Sequence, residues 1–190
     1  MRPAIALSGS AGTGKSTLGQ ALARRWGVPY LAEPMRARLE AGLNLHDLTH
    51  EDLQALLLEL WDEQQRAEAE AMALAGGFVA DRSSVDFAAF WVHYRFTEDA
   101  DATARFVGQT LAHQTHYQRI VLLPWGALPL VADGVRSSNP WIQRHFQATV
   151  EGLLFREVGP PRLLLLPHAV TALEARVRWV ASAVGGSPAP

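Results

Sequence analysis

Short apolar runs alternate with longer amphipathic stretches along the chain. Ala4 to Leu7 predicts a first strand, and Lys15 to about Trp26 predicts a helix that Gly27 ends. Val28 to Ala32 predicts a second strand carrying Glu33 at its C-terminal end. Pro34 holds Glu33 extended and suits the first position of a short helix through Leu39. After a loop over 42–48, Thr49 caps a long helix, with Asp52 three residues on in a near-capping-box arrangement. Leu53, Leu56, Leu57, Leu60, Ala67, Ala71 and Leu74 keep helical spacing until Gly76-Gly77 stops it. Phe78 to Ala80 predicts the third strand, and a helix follows with Phe87, Phe90, Trp91 and Tyr94 on one face, read as a core face. The stretch 97–116 is predicted helical, Arg119 to Leu123 is the fourth strand, and Pro124 to Pro129 is loop. Asp133 to Pro140 is polar and turn-rich before a helix from Trp141 to about Arg156. Arg162 to Leu166 is the fifth strand, and Val170, Leu173, Val177, Val180 and Val184 stripe a last helix. The tail 185–190 is expected to be disordered.

Strands alternating with helices predict an α/β fold, a five-stranded parallel sheet with helices on both faces. In such sheets ligands gather at the C-terminal ends of the strands. Composition changes this picture little. The chain has 190 residues, 48% of them hydrophobic and 19% charged, enough for one domain over 1–184 with a substantial core. A net charge of -2 gives no electrostatic case for nucleic acid or a membrane surface. No apolar run reaches the span of a bilayer, and Met1-Arg2-Pro3 leaves no room for a signal peptide before the first strand. With no cysteine, disulfides and thiolate metal sites are excluded. These features lead us to expect a cytoplasmic enzyme.

The chemistry concentrates at the strand ends. Gly9-Ser10-Ala11-Gly12-Thr13-Gly14-Lys15-Ser16-Thr17 fits G-x-x-x-x-G-K-[ST] in full, between an apolar strand and a helix. Glycines let backbone N–H groups turn inward around phosphate oxygens, and the helix N-terminus adds partial positive charge. Lys15 is expected to face solvent and reach the β- and γ-phosphates, while the Ser16 hydroxyl ligates Mg²⁺. Lys15 is also the only lysine in the sequence. A codon bias toward arginine leaves lysine where a planar guanidinium cannot serve, and a phosphate loop needs a compact ammonium. The chain therefore reads as binding a nucleoside triphosphate in a three-layer P-loop NTPase fold.

The other strand ends narrow the class. A Ras-type GTPase needs an [NT]-K-x-D motif, and the one lysine is already placed. A AAA-type machine needs more chain, a sensor arginine and a longer third strand ending in adjacent acids, where this chain has Asp81-Arg82-Ser83. The set of P-loop, Ala32-Glu33-Pro34, Asp81-Arg82-Ser83 and a late arginine resembles the nucleoside and nucleotide kinases. More narrowly, Leu7-Ser8-Gly9, Asp81-Arg82-Ser83 with Asp86, the break at Leu123-Pro124 and Asp133-Gly134-Val135-Arg136 resemble a small P-loop family. That family is related to the kinase domain of nicotinamide riboside kinase and is often described as AAA-like ATPases. The Glu33-Pro34 pair is closer to deoxynucleoside and thymidylate kinases.

The resemblance implies ATP with Mg²⁺ as donor and a small nucleoside-like or nucleotide acceptor, with no nucleic-acid or membrane partner and a homodimer left open. Glu33 would accept a proton from an acceptor hydroxyl or orient it, the alternative being an exposed cap on the helix that follows. Asp81 would hold Mg²⁺ through water, with a strand-end cap as its alternative. Arg82 and Arg36 would bind the acceptor, against surface salt bridges. Arg136, in an expected lid over 133–140, would meet the transferring phosphoryl, with Arg144 as the substitute. His113 and His116 are read as surface histidines rather than metal ligands. A nucleotide-dependent regulatory NTPase without a small-molecule acceptor is the rival function.

Overall fold

The protein is described by a computed structural model over residues 2–129 and 139–185. The expected lid, Arg136 included, lies outside the described residues apart from Asn139 and Pro140, and so does the expected tail apart from Gly185. The strands are β1 (Ala4–Ser8), β2 (Tyr30–Leu31), β3 (Phe78–Ala80), β4 (Arg119–Leu122) and β5 (Leu163–Leu165). The helices are α1 (Lys15–Trp26), α2 (Pro34–Glu40), α3 (His50–Ala75), α4 (Ser84–His93), α5 (Ala100–His113), α6 (Pro140–Glu157) and α7 (Leu173–Val184).

All pairings are parallel, and the sheet order is β2-β3-β1-β4-β5. The β1 strand is central, with Ile5 beside Val79 and Leu7 beside Val121. Alternation sends these four residues to one face, where they pack on Leu18 and Leu22 of α1 and Val180 of α7. Ala6, Ala80, Ile120 and Leu122 face the other way, against Val85 and Ala89 of α4 and Phe146, Val150 and Leu154 of α6. A third cluster joins Leu57, Leu60 and Trp61 of α3 to Phe87 and Trp91 of α4 and Phe106 of α5. The chain leaves β1 toward β2 and β3 on one side and returns to β4 on the other, so the strand order reverses at β1. That is where open α/β sheets place their ligands.

Several boundaries differ from the expectation. The second strand keeps only Tyr30–Leu31, because it is an edge strand and Pro29 before it has no N–H to donate. The predicted helix over 97–116 is broken at both ends. A 3-10 turn over Phe96–Glu98 precedes Asp99, whose side chain accepts the Ala102 N–H and restarts the chain as α5; a second 3-10 turn, Gln114–His116, follows it. Val170 belongs to a turn before α7, since its N–H bonds to the Pro167 carbonyl, although its side chain still packs in the core. The Thr49–Asp52 capping box is complete. The α6 helix has a cap of its own: the Asn139 side chain accepts the Trp141 N–H, with Pro140 in the first turn. Among the described residues no helix is long and apolar enough to cross a membrane.

Candidate phosphate-binding and acceptor site

Residues 9–14 leave β1 and turn back into α1. Gly9, Gly12 and Gly14 hold φ of 125°, 77° and 86°, in the left-handed region that glycine adopts without strain. A Cβ on Gly9 would stand 2.9 Å from the Leu123 carbonyl oxygen, so the loop also needs glycine there for room. Gly14 is the cap residue of α1 and carries no capping side chain, so the first N–H groups of the helix are left for an anion. Lys15 does not face solvent as expected. It is 4% exposed, and its Nζ donates to the Gly9 carbonyl at 2.9 Å and the Ser10 carbonyl at 2.8 Å. The lysine thus folds back onto carbonyls of its own loop.

The start of the loop is held from the far end of the chain. Gln147 Oε1 accepts the Ser10 N–H at 2.7 Å, and Gln143 Oε1 accepts the Ser10 hydroxyl at 2.5 Å and the Ala11 N–H at 3.1 Å. Sequence reasoning missed both glutamines. Their signal is a pair four apart in line with Phe146 and Val150, polar residues on the buried stripe of α6.

Asp81, just past β3, meets Ser16 of the loop. Its Oδ2 accepts the Ser16 hydroxyl at 2.5 Å and the Tyr30 hydroxyl at 2.8 Å, while its buried Oδ1 has no partner. Tyr30 reaches Asp81 across Gly19, where any Cβ would collide with its ring at 2.7 Å. Burial first, and then the Asp81 charge, push the Tyr30 hydroxyl well above its usual range, so it remains a donor to Asp81. One hydroxyl and one carboxylate with a spare oxygen fit Mg²⁺, which takes oxygen ligands and keeps several waters.

Glu33, Arg82 and Asp86 form a buried chain beside the loop. Glu33 is 4% exposed and makes no capping bond to α2; its Oε1 instead accepts from Arg82 Nε at 3.1 Å. It stands at the N-cap position of α2, but buried and with its side chain turned to Arg82 rather than to the helix. Arg82 Nη1 donates to the Gly9 carbonyl at 2.7 Å and to Asp86 Oδ1 at 3.0 Å. Its guanidinium lies 5.1 Å from the Phe90 ring centre and 5.4 Å from that of Phe146. Asp86 Oδ2 accepts from Ser8 Oγ, Ser83 N–H and Ser83 Oγ. Asp86 thus caps α4 and fastens that helix to β1. Glu33 and Arg82 border a small crevice whose other walls are Pro34, Met35, Leu57, Leu60, Phe87 and Phe90. Phe87, Phe90, Trp91 and Tyr94 pack in the core, as their spacing predicts, and Phe87 and Phe90 also line this crevice.

The remaining candidates lie elsewhere. Arg36 is half-exposed on α2 and pairs with Glu40 at 2.7 Å. Arg144 stacks over Trp141, 5.8 Å from its ring centre. His113 is only partly exposed: it packs edge-on to Trp61 and bonds to the buried Glu68 of α3 at 2.8 Å. His116 is exposed and bonds to the His113 carbonyl.

Comparison with known proteins agrees with this geometry. Residues 4–162 match the family described as AAA domain. A shikimate kinase from Thermobifida fusca (strain YX) is 36% identical over 109 residues, which cover 55% of this chain and 63% of that kinase. The crystal structure of the NadR protein in complex with NR superposes with a TM-score of 0.76 at 20% identity, over 96% of this chain and 50% of that one. The deoxyadenosine kinase from M. mycoides, with dCMP and dCDP bound, gives 0.68 at 12% identity, over 95% of this chain and 98% of that one. This chain therefore spans about half to two thirds of the first two relatives, and the structural likenesses establish the fold. By its match over residues 4–162 the chain belongs to the AAA domain family, and its five-stranded parallel sheet with a phosphate loop after the central strand is the α/β fold of the P-loop proteins.

Proposed function

We propose that the protein is a kinase that transfers the γ-phosphoryl of ATP to a hydroxyl of a small nucleoside-like or nucleotide acceptor. The observation that carries this reading is Glu33: a buried carboxylate on the wall of an apolar crevice, linked through Arg82 to the first glycine of the phosphate loop. A regulatory NTPase has no use for a second crevice with a carboxylate aimed beside its phosphates.

Phosphoryl transfer asks the protein mainly for positioning and charge neutralisation. The amides of residues 12–17 take the donor phosphates, those of Gly9, Ser10 and Ala11 being held by Asp86, Gln147 and Gln143. Lys15 Nζ exchanges the Gly9 and Ser10 carbonyls for phosphate oxygens and places its charge on the group in transfer. Ser16 and Asp81 are the residues that would hold Mg²⁺, which when bound neutralises charge on the β- and γ-phosphates. Tyr30 keeps Asp81 in place for that task. Arg82 holds Glu33 oriented, so that Glu33 takes the proton of the acceptor hydroxyl as the new bond forms. The Phe90 and Phe87 rings and the Leu57 and Leu60 side chains suit a planar ring. Arg36, near the crevice on α2, is the proposed outer contact to the acceptor, and Arg136 is the proposed late cation on sequence grounds.

ADP release measured with and without nucleosides, nucleoside monophosphates, nicotinamide riboside and shikimate tests the reading. Turnover stimulated by a nucleoside-type acceptor is expected. Slow hydrolysis indifferent to every acceptor would give the function to the regulatory NTPase instead.

A further inference from the structure

The α7 helix brings a cation to the loop that the reading above does not use. Arg176 lies in the first turn of α7 and is 2% exposed. Its Nε donates to the Val170 carbonyl at 2.9 Å and its Nη1 to the Thr13 carbonyl at 2.7 Å. The same Nη1 stands 3.0 Å from the place a Cβ on Gly14 would take, as does Leu128 Cδ1. Arg176 Nη2 is buried with no hydrogen-bond partner. Among the described residues no carboxylate pairs with this guanidinium. Burial accordingly pulls its pKa below the ordinary arginine value.

A buried cation with neither counter-charge nor a full set of acceptors is costly, and such groups are retained where something arrives to satisfy them. Position identifies what arrives. A phosphate loop turns its N–H groups inward and its carbonyls outward. Lys15 and Arg82 bond the carbonyls of Gly9 and Ser10 at the start of the loop, whereas Arg176 meets the Thr13 carbonyl at its other end and reaches it from the β5–α7 connection. Its neighbours Thr13, Val170 and Leu128 belong to the connections that follow β1, β5 and β4. Those three connections meet at the C-terminal edge of the sheet, where the nucleoside half of a triphosphate must lie once its phosphates occupy the loop.

We propose that Arg176 is a donor-binding residue: it clips the phosphate loop to the β5–α7 connection and keeps Nη2 for an acceptor atom on the base or sugar of the donor. This rests on the reading that the loop takes a nucleoside triphosphate, and it is independent of the acceptor. The test is calorimetric binding of ATP and of inorganic tripolyphosphate, each with Mg²⁺, to wild type, Arg176→Met and Arg176→Lys. Losing a hydrogen bond from a charged donor, beyond the loss of the clip, weakens ATP binding by about ten-fold or more in Arg176→Met, while tripolyphosphate, which senses only the clip, loses distinctly less. Arg176→Lys falls between, because an ammonium cannot span both carbonyls and the ligand. A folded Arg176→Met that binds ATP like wild type overturns the proposal. Equal losses for ATP and tripolyphosphate also overturn it, since they make Arg176 a support of the loop alone. If Arg176→Met does not fold, Arg176→Lys carries the same comparison, and failure of both to fold assigns the residue to the core and overturns it. Wild type that binds neither ligand rejects the phosphate-loop reading itself, an outcome distinct from any variant's failure.

Discussion

Lys15 and Glu33 are both buried ionisable side chains held by neighbours, but their partners give them different consequences when replaced. Lys15 is held by two loop carbonyls, which can turn to solvent or ligand when the ammonium goes. Lys15→Ala is therefore expected to fold, with ATP binding and turnover lost to background, as read by calorimetry and ADP release. Turnover retained in the variant would remove the loop from the chemistry. Glu33 is tied to Arg82, which also binds Asp86 and Gly9, so the arginine keeps a counter-charge when Glu33 is neutralised. Glu33→Gln should keep ATP affinity and lower kcat on the best hydroxyl acceptor by about 10²-fold or more, the scale of a lost general base. Full activity in that variant would leave Glu33 a purely structural partner of Arg82. Asp86 is the opposite case. It is fully buried and accepts from Ser8, Ser83 and Arg82. Asp86→Asn should cost about 3 kcal/mol of unfolding free energy in urea, the scale of a broken buried ion pair.

At the scale of elements, α6 decides the shape of the loop. Gln143→Leu strips the acceptor from the Ser10 hydroxyl and the Ala11 N–H, each buried group costing about 1–3 kcal/mol when left unmade. Gln143→Glu keeps an acceptor there but sets a negative charge beside the phosphates. The first variant should lose stability, and the second should keep stability while binding ATP more weakly. Equal stability in wild type and Gln143→Leu would contradict the role given to α6. The α4 and α6 helices also meet through two rings, His93 Nδ1 facing His145 Nδ1 at 3.0 Å. Burial first, and then the His145 charge, hold the His93 pKa below its ordinary value. The unfolded chain then binds that proton more readily, so the contribution is full above the ordinary histidine value and is lost as pH falls through and below it. Wild-type stability should drop from pH 7.5 to 5.5 more steeply than that of His93→Gln. Parallel curves would deny the pair any such effect. Much of this level was legible in the sequence: caps at Thr49, strand-end residues at Glu33 and Asp81, and apolar spacing all report local structure. What was not legible joins distant segments. Gln143 and Ser10 lie 133 residues apart, and no local pattern announces that they touch. Lys15 was placed in solvent because its acceptors are carbonyls of the folded loop, which exist only once the loop has closed.

For the whole molecule, the sheet order sets the function within reach. Reversal of strand order at β1 brings the ends of β1, β2 and β3 together, so the phosphate loop, Glu33 and Asp81-Arg82 share one edge although they stand far apart in the chain. The AAA domain match covers the loop and both carboxylates, while Arg176 lies beyond it in α7. The likeness to a shikimate kinase and to structures solved with NR or deoxynucleotides leaves the acceptor to the crevice itself. Its walls are apolar, and its arginine already pairs with Glu33 and Asp86. Under the reading proposed above, Glu33 beside the acceptor favours the nucleoside-like member of the proposed acceptor class over the nucleotide, whose phosphate a carboxylate repels. The most direct test follows the γ-phosphoryl group itself. With γ-labelled ATP, Mg²⁺ and a panel of nucleosides, wild type should place the label on an acceptor hydroxyl, and Glu33→Gln should do so at least about 10²-fold more slowly. Label recovered only as inorganic phosphate, at a rate no acceptor changes, would contradict the assignment as a kinase.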